Sequence, residues 1–477
     1  MKKTFVRLLA LVLSLVMCFG VAACGSEEKT DKTPSKEEET FDDLGGDISF
    51  DGTVSGDETS TPVSGDGSFS GEISQTSRLD VFKNIPKSLR GKTVTFAHWG
   101  DEGGAEYVKV AKAFTKLTGI NVKWAMYDQT TYEADISKQI VAGKGPDIII
   151  LNDKIPQIFE IAQELPKYFN VNDGFWDPRI TEQTKFGGKN YFVNSYYSPY
   201  VPTAGIVVYN KKIFNDNGLT SPVDYINAGA WTWENFRQCM LDADKLGYYG
   251  GVLDPELMAR TMGPSFMSYN ASAGKVELNK NNDAMLRALQ FYAKCREEGL
   301  VGNYLIAQYP AGNIAMLTTD AYAIKKNGYL KDMSASDFGA VRMPDSYEGK
   351  PCNYGGVGLR AYGIAKGAKQ PEAAYYFLRY FLDVDNCNKD ASIFGNKEMQ
   401  KFYSQTVLKA YRENELKISV LGGPLLLTGG GLNWTHSEVF KELRRASSND
   451  MATELSKVMG TFEGAVTESN NKLATYK

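Results

Sequence analysis

Residues 147–151, Asp-Ile-Ile-Ile-Leu, form a continuous apolar run behind a single acid. A strand that is apolar on both faces needs cover on both faces, which is how the strands of parallel sheets are placed. Two strand-like runs precede it, each followed by a helical pattern. Residues 93–98 lead into a helix over 107–117, with Tyr107, Val110, Ala111, Phe114 and Leu117 on one face and Gly119 after it. Residues 121–127 alternate, with Val122, Trp124 and Met126 on one side. Residues 132–142 read as a helix through Tyr132, Ile136 and Ile140 that stops at Gly143. The order β-α-β-α-β predicts an α/β fold with parallel, doubly wound sheets. Ligands of open α/β sheets sit beyond the carboxyl ends of the strands. That rule singles out Trp99 and Asp101 after the first strand, and Asn152 and Asp153 after the third.

A second cluster of signals lies at 195–214. Aromatics and two prolines, Pro199 and Pro202, precede the β-branched run 205–209. Residues 211–217 read as a short helix ending at Gly218, a C-cap residue type. Thr232 is a suitable N-cap for a helix whose Phe236, Cys239, Met240 and Ala243 share one face. The stretch 204–350 is expected to be mostly helical with loops. Farther on, Leu286, Leu289, Tyr292, Ala293 and Arg296 keep helical spacing, and 371–382 forms a helix with Pro371 in its first turn and Ala374, Phe377, Leu378 and Phe381 inward.

Several motifs recur in a familiar order. They are AGKGPDIIILND at 142–153, a strand followed by YNK, a short helix and TWENF at 205–236, GNIAM at 312–316, YGGVGL at 354–359, and KQPEAAYYFL at 369–378. Together they resemble the extracellular solute-binding proteins of bacterial ABC importers, in the sugar-binding group that includes maltose-binding proteins. The resemblance runs from about residue 89 to the C-terminus. It implies a two-lobe, periplasmic-binding-protein-like fold whose parallel doubly wound sheets are joined by a hinge. Lobe 1 would comprise 78–203 and 356–405, and lobe 2 would comprise 204–355 and 406–477. A solute, an ABC permease and no catalysis are implied with it, and a monomer is expected.

The N-terminus has a different character. Lys2, Lys3 and Arg7 precede an apolar core at 8–19 that is too short to span a bilayer, so 1–23 reads as a signal peptide. Val21-Ala22-Ala23-Cys24 resembles a lipobox, in which Cys24 is diacylated and holds the chain on the outer face of the cell membrane. The alternative is an ordinary secretory signal cut near Ala23. Residues 24–77 read as a disordered tether: 25–77 carries 14 acidic residues against three lysines, with few large apolar side chains. The whole chain has a net charge of −4, so residues 78–477 come out near +4 and almost balanced. No basic stripe points to nucleic acid.

Signals for chemistry are sparse. Gly356-Val-Gly358-Leu-Arg-Ala361 matches a dinucleotide fingerprint, but a strand-like run follows it where a helix should open, so no cofactor is expected. Asp383–Asn388 lacks the glycine and final Glu of a calcium loop. With two histidines, His98 and His436, no metal site is expected, and His98 at a strand end reads as structural. Of six cysteines, Cys239 and Cys295 fall on apolar helix faces and are expected as buried free thiols. Cys352 and Cys387 show no metal spacing, and a disulfide among the four stays open.

Aromatics near the strand ends and crossings suit a sugar, whose C–H face stacks on a flat ring while its hydroxyl rim is met by carboxylates and amides. The expected ligand residues are Trp99, Asp101, Asn152, Asp153, Tyr197 and Trp434, together with Asp320, Tyr322, Tyr354, Gly355 and Gly356, which the resemblance implies lie in a turn near the ligand and at a crossing. A mono- or oligosaccharide receptor is the first expectation. A lipid-anchored glycan hydrolase with two cleft carboxylates is the alternative. A purely structural lipoprotein is the third.

Overall fold

The computed structural model describes residues 74–99, 104–128, 131–151, 157–198, 205–255, 257–258, 267–280, 283–302, 309, 312–320, 334–344, 361–383, 385–386 and 438–476. The chain divides into Met1–Val63 and Ser64–Lys477, and every described residue lies in the second unit.

The first stretch contains α1 (Gln75–Leu79), β1 (Thr93–Trp99), α2 (Gly104–Thr118), β2 (Asn121–Tyr127), α3 (Tyr132–Val141), β3 (Ile148–Leu151), α4 (Ile158–Ile161), β4 (Ala162–Gln163), α5 (Pro178–Gln183) and β5 (Phe192–Val193). The middle contains β6 (Gly205–Asn210), α6 (Lys211–Asp216), α7 (Pro222–Asn227), α8 (Trp233–Lys245), β7 (Tyr249–Val252), β8 (Met267–Asn270), β9 (Lys275–Leu278), α9 (Asp283–Glu297), β10 (Ile314–Asp320) and β11 (Phe338–Arg342). Then follow β12 (Ala361–Ala365), α10 (Pro371–Phe381), α11 (Glu438–Arg445) and α12 (Met451–Ala474).

The first sheet has the order β2-β1-β3-β12-β4, with β5 also paired to β12. β1 is parallel to both neighbours, in the register Thr93↔Asn121 on one side and Phe96↔Ile148 on the other. The expected parallel β-α-β-α-β unit is therefore present. β12 instead runs antiparallel to β3, β4 and β5. Its first residue, Ala361, lies opposite Leu151, the last of β3. A strand that joins the sheet from the carboxyl edge of β3 has to run back against it. Gly363 on β12 admits β5: a Cβ there would stand 2.6 Å from the Tyr191 carbonyl oxygen.

The second sheet, β11-β6-β10-β7, corrects the expectation that 204–350 is mostly helical. β6 is antiparallel to β11 and β10, and β10 is parallel to β7. These strands run from four to seven residues, and short apolar runs are ambiguous between helix and strand by periodicity alone. β8 and β9 form a separate hairpin.

Packing follows the helix faces read from the sequence. Phe236, Cys239, Met240 and Ala243 of α8 are buried, as are Ala374, Phe377, Leu378 and Phe381 of α10. Trp233 is buried against Phe291, their ring centroids 5.2 Å apart, and Thr232 Oγ1 caps α8 by accepting the N–H of Asn235. Phe96 on β1 is surrounded by the rings of Trp124, Phe377 and Phe381. Two residues expected inward are not. Leu117 is 52% exposed and Met126 53% exposed. Leu117 is the penultimate residue of α2, and Met126 lies on β2, an edge strand of the sheet.

The described fold begins earlier than residue 78. Ser74 Oγ accepts the N–H of Ser77 and caps α1, so residues 75–77 are helical although their composition places them in the tether. At the other end, α12 packs on β9 and α9. Arg296 donates to the carbonyl oxygens of Arg444, Arg445 and Ala446, which closes the C-terminus of α11 with a positive charge.

Candidate ligand-binding site

Trp99 is the last residue of β1, and the Phe96↔Ile148 register carries it level with Leu151, the last of β3. Both strands therefore present their carboxyl ends on one edge of the first sheet. In the second sheet, Asp320, the last residue of β10, pairs with Gly205, the first of β6. The chain thus begins its second sheet beside the end of β10, seven residues after Ser198. Trp99, Asp320 and Tyr197 accordingly stand at strand ends or beside the crossing between the sheets. Asp101, Asn152, Asp153, Tyr322, Tyr354, Gly355, Gly356, Trp434 and Cys24 lie outside the described residues.

Below this edge the strands are stapled together. The hydroxyl of Tyr132, fully buried, donates to the carbonyl oxygen of Ala97 at 3.0 Å and accepts the N–H of Ile150 at 3.0 Å. Burial drives its pKa well up, despite the bond from Ile150, so it stays a neutral phenol. His98 is buried beside Tyr107, its Nε2 3.0 Å from the tyrosine hydroxyl, and Trp124 stacks on Tyr107 with centroids 4.7 Å apart. This is a structural histidine, as its position at a strand end suggested.

Tyr197 is held by a stack that sequence reasoning missed. The Arg78 guanidinium lies 3.9 Å from the centre of the Tyr197 ring. Phe175 is offset-stacked on Tyr197 at 5.9 Å, and the Arg379 guanidinium lies 4.0 Å from the centre of the Phe175 ring. Carboxylates close both ends. Arg78 Nε donates to Asp383 Oδ2 at 2.7 Å and Nη2 donates to Asp385, while Arg379 Nη1 donates to Asp173 at 2.5 Å. Burial works against the charge on Arg78, but its bond to Asp383 and the charges of Asp383 and Asp385 outweigh it and raise its pKa. Arg379 and Asp383 are four residues apart, one at the end of α10 and one just beyond it. One helix end thus organises both cations. The Arg78 guanidinium and the Phe175 ring thus both lie against the Tyr197 ring. No local sequence signal marks the pairing, because Arg78 and Asp383 are 305 residues apart.

Among the described residues no group of three or more His, Cys, Asp or Glu could hold a metal ion. Cys239 and Cys295 are buried free thiols. No helix among the described residues is long and apolar enough to cross a membrane.

The family model for bacterial extracellular solute-binding proteins matches residues 99–386, more than half of the chain. A search of curated proteins gave no match. Among solved structures, the chain is similar to the galacto-N-biose/lacto-N-biose I-binding protein of an ABC transporter from Bifidobacterium longum, solved with lacto-N-biose. The identity is 16% over 79% of this chain and 97% of that one, with a TM-score of 0.60. It is also similar to an extracellular solute-binding protein from Staphylococcus aureus, solved with maltose, at 19% identity, 81% and 98% coverage and a TM-score of 0.50. A family 1 solute-binding protein from Alicyclobacillus acidocaldarius matches at 16% identity, 80% and 99% coverage and a TM-score of 0.51. These likenesses support a two-lobe α/β fold. With a family model covering 99–386, the chain belongs to the bacterial extracellular solute-binding proteins.

Proposed function

We propose that the chain is a lipid-anchored receptor on the extracytoplasmic face of the cell membrane that captures a mono- or oligosaccharide and hands it to the permease of an ABC importer. The observation that carries this reading is the arrangement of strand ends. Trp99 and Leu151 end on one edge of the first sheet, and the Asp320↔Gly205 pair opens the second sheet just after the crossing. A solute at that edge would meet residues from both lobes. The two relatives solved with lacto-N-biose and maltose support a saccharide.

In this mechanism Trp99 and Trp434 stack on the apolar face of the sugar. Asp101, Asn152, Asp153 and Asp320 accept or donate at its hydroxyl rim, where bonds to ionised carboxylates are the stronger ones. Tyr197 contributes its hydroxyl. Tyr322, Tyr354, Gly355 and Gly356 line the same cleft from the other crossings. Binding to both lobes favours the closed form of a hinge between 78–203 with 356–405 and 204–355 with 406–477. Cys24 carries the lipid, and 24–73 gives the receptor reach. Family membership favours binding over hydrolysis.

The test is a thermal-shift panel of mono- and oligosaccharides that includes maltose and lacto-N-biose, alongside peptides and amino acids. At a hundredfold excess over its dissociation constant a ligand stabilises the native state by about 2.7 kcal/mol. Shifts confined to peptides or amino acids would overturn the saccharide reading, and turnover of a glycan would restore the hydrolase.

A further inference from the structure

We infer that Arg78 is a positioning residue for Tyr197, through which the strap at residues 74–89 ties the root of the acidic N-terminal segment to the crossing between the two sheets.

The strap is built into the fold. After α1 it makes two short turns, Asp80–Asn84 and Lys87–Leu89. Phe82 packs edge-on against Tyr380 of α10 at 5.9 Å, and Leu89 is buried. Arg78 is the one cation of the strap that is drawn inside: its side chain is 4% exposed, against 71% for Lys83. It engages two separate segments at once. One is the turn after α10, where Asp383 Oδ1 also accepts the N–H of Asp385 at 3.0 Å. The other is the turn at 195–198, where the Tyr197 N–H donates to Ser195 Oγ at 2.9 Å and the Ser198 N–H donates to the Ser195 carbonyl at 3.2 Å.

An ion pair alone would need only a charge. The guanidinium here also lies over a ring, which a planar, delocalised cation does and a compact ammonium does poorly. Its partner, Tyr197, stands eight residues before β6, and Phe175 and Arg379 hold Tyr197 from the other end of the stack. Moving Arg78 therefore moves the last described turn before the second sheet. Only the assignment of Tyr197 to the ligand site rests on the proposed function.

The experiment compares the full mature chain with R78K and R78Q by amide hydrogen exchange, without ligand. R78K keeps a cation for Asp383 and so preserves folding if R78Q does not. The expected result for R78K is about tenfold faster exchange at 195–198 and 385–386, with 205–210 and 314–320 unchanged, since local opening is read by the amides it frees. No change at 195–198 in either variant overturns the inference, as does an equal loss of protection across both sheets. A second arm titrates maltose and lacto-N-biose. For whichever sugar the wild type binds, R78K is expected to weaken binding about tenfold with the unliganded Tm held, and an unchanged affinity refutes the positioning role. If the wild type binds neither sugar, the exchange arm decides the strap, and the saccharide reading is decided by the wider panel.

Discussion

Asp147 and Gln370 are 223 residues apart, yet Asp147 Oδ1 accepts the N–H of Gln370 at 2.7 Å. The other oxygen, Oδ2, accepts the N–H of Thr95 at 2.8 Å, and the side chain is buried. One carboxylate thus joins β1, the start of β3 and the residue that opens α10. The Pro-Asp before the apolar run 148–151 is there for this junction, with its side chain turned to backbone donors and away from solute chemistry.

Asp147→Ala should leave two half-buried N–H groups, of Thr95 and Gln370, without these acceptors. At about 1–3 kcal/mol for each orphaned donor, the loss is about 2–6 kcal/mol. Asp147→Asn keeps one acceptor oxygen and turns an amide N–H2 toward the other donor, so its cost should fall between the wild type and Ala. Denaturant unfolding of the three proteins checks the order. Equal stability of Ala and Asn would show that a single bond matters.

Much of this fold could be read from the sequence because its signals are local. The parallel order of β1, β2 and β3, the inner faces of α8 and α10, the Thr232 cap and the buried thiols all follow from spacing within one or two turns. What escaped was set at long range. The direction of β12 depends on where the chain returns from, and the sheet β11-β6-β10-β7 depends on partners as far apart in the chain as Ile206 and Arg342. Leu117 and Met126 match an inward pattern, but one lies at the end of α2 and the other on the edge strand β2. For the site, the strand-end rule gives Trp99, and Tyr197 reads as a flat stacking platform. Its companion Arg78 reads as an unremarkable residue at the end of a tether, and only the fold shows that it occupies the Tyr197 ring.

The strap moves the boundary for truncation. A chain beginning at residue 71 retains Ser74 and its cap on α1, and should unfold with the same midpoint as a chain beginning at residue 24. A chain beginning at residue 79 loses Arg78 and leaves Asp383, which is fully buried, without that cation. Breaking a buried pair by removing one partner costs about 3–5 kcal/mol. Matching midpoints for the two truncations would show the strap to be dispensable.

The proposed anchor puts the lipid on Cys24. Cys24→Ser should release the protein to the medium or leave uncut precursor. Fractionation of cells that express the variant reads this directly, and a normally processed variant that stays on the membrane would remove the lipid from the proposal.

The buried thiols should be chemically quiet. Burial first, and then Glu298, pushes the Cys295 thiol up to about 12; burial and Asp242 push Cys239 up farther still. The thiolate is the reactive form, so a raised pKa leaves little of it at pH 8. Alkylation of the native chain at pH 8, mapped by peptide mass spectrometry, should label neither residue, and labelling of both should appear only on unfolding. Rapid native labelling of Cys239 would mean that α8 opens.

Ligand contact should separate the aromatic residues by role. Trp99→Ala and Trp434→Ala should each shrink the thermal shift given by a bound saccharide while leaving the unliganded Tm nearly unchanged, since a platform facing solvent contributes little to the core. Stacked aromatic pairs are worth about 0.5–1.5 kcal/mol beyond area burial, so losses of up to about tenfold in affinity are expected. Tyr197 should behave differently. With Arg78 over its ring, Tyr197→Phe keeps the stack and removes only the hydroxyl, and should weaken sugar binding with little change in Tm. Tyr197→Ala removes the ring that Arg78 and Phe175 share, and should lower both affinity and Tm. If Tyr197→Phe binds as tightly as the wild type while Tyr197→Ala loses only stability, Tyr197 belongs to the stack alone and the saccharide is held without it. A Trp99→Ala protein that melts much lower without ligand would place that ring in the core.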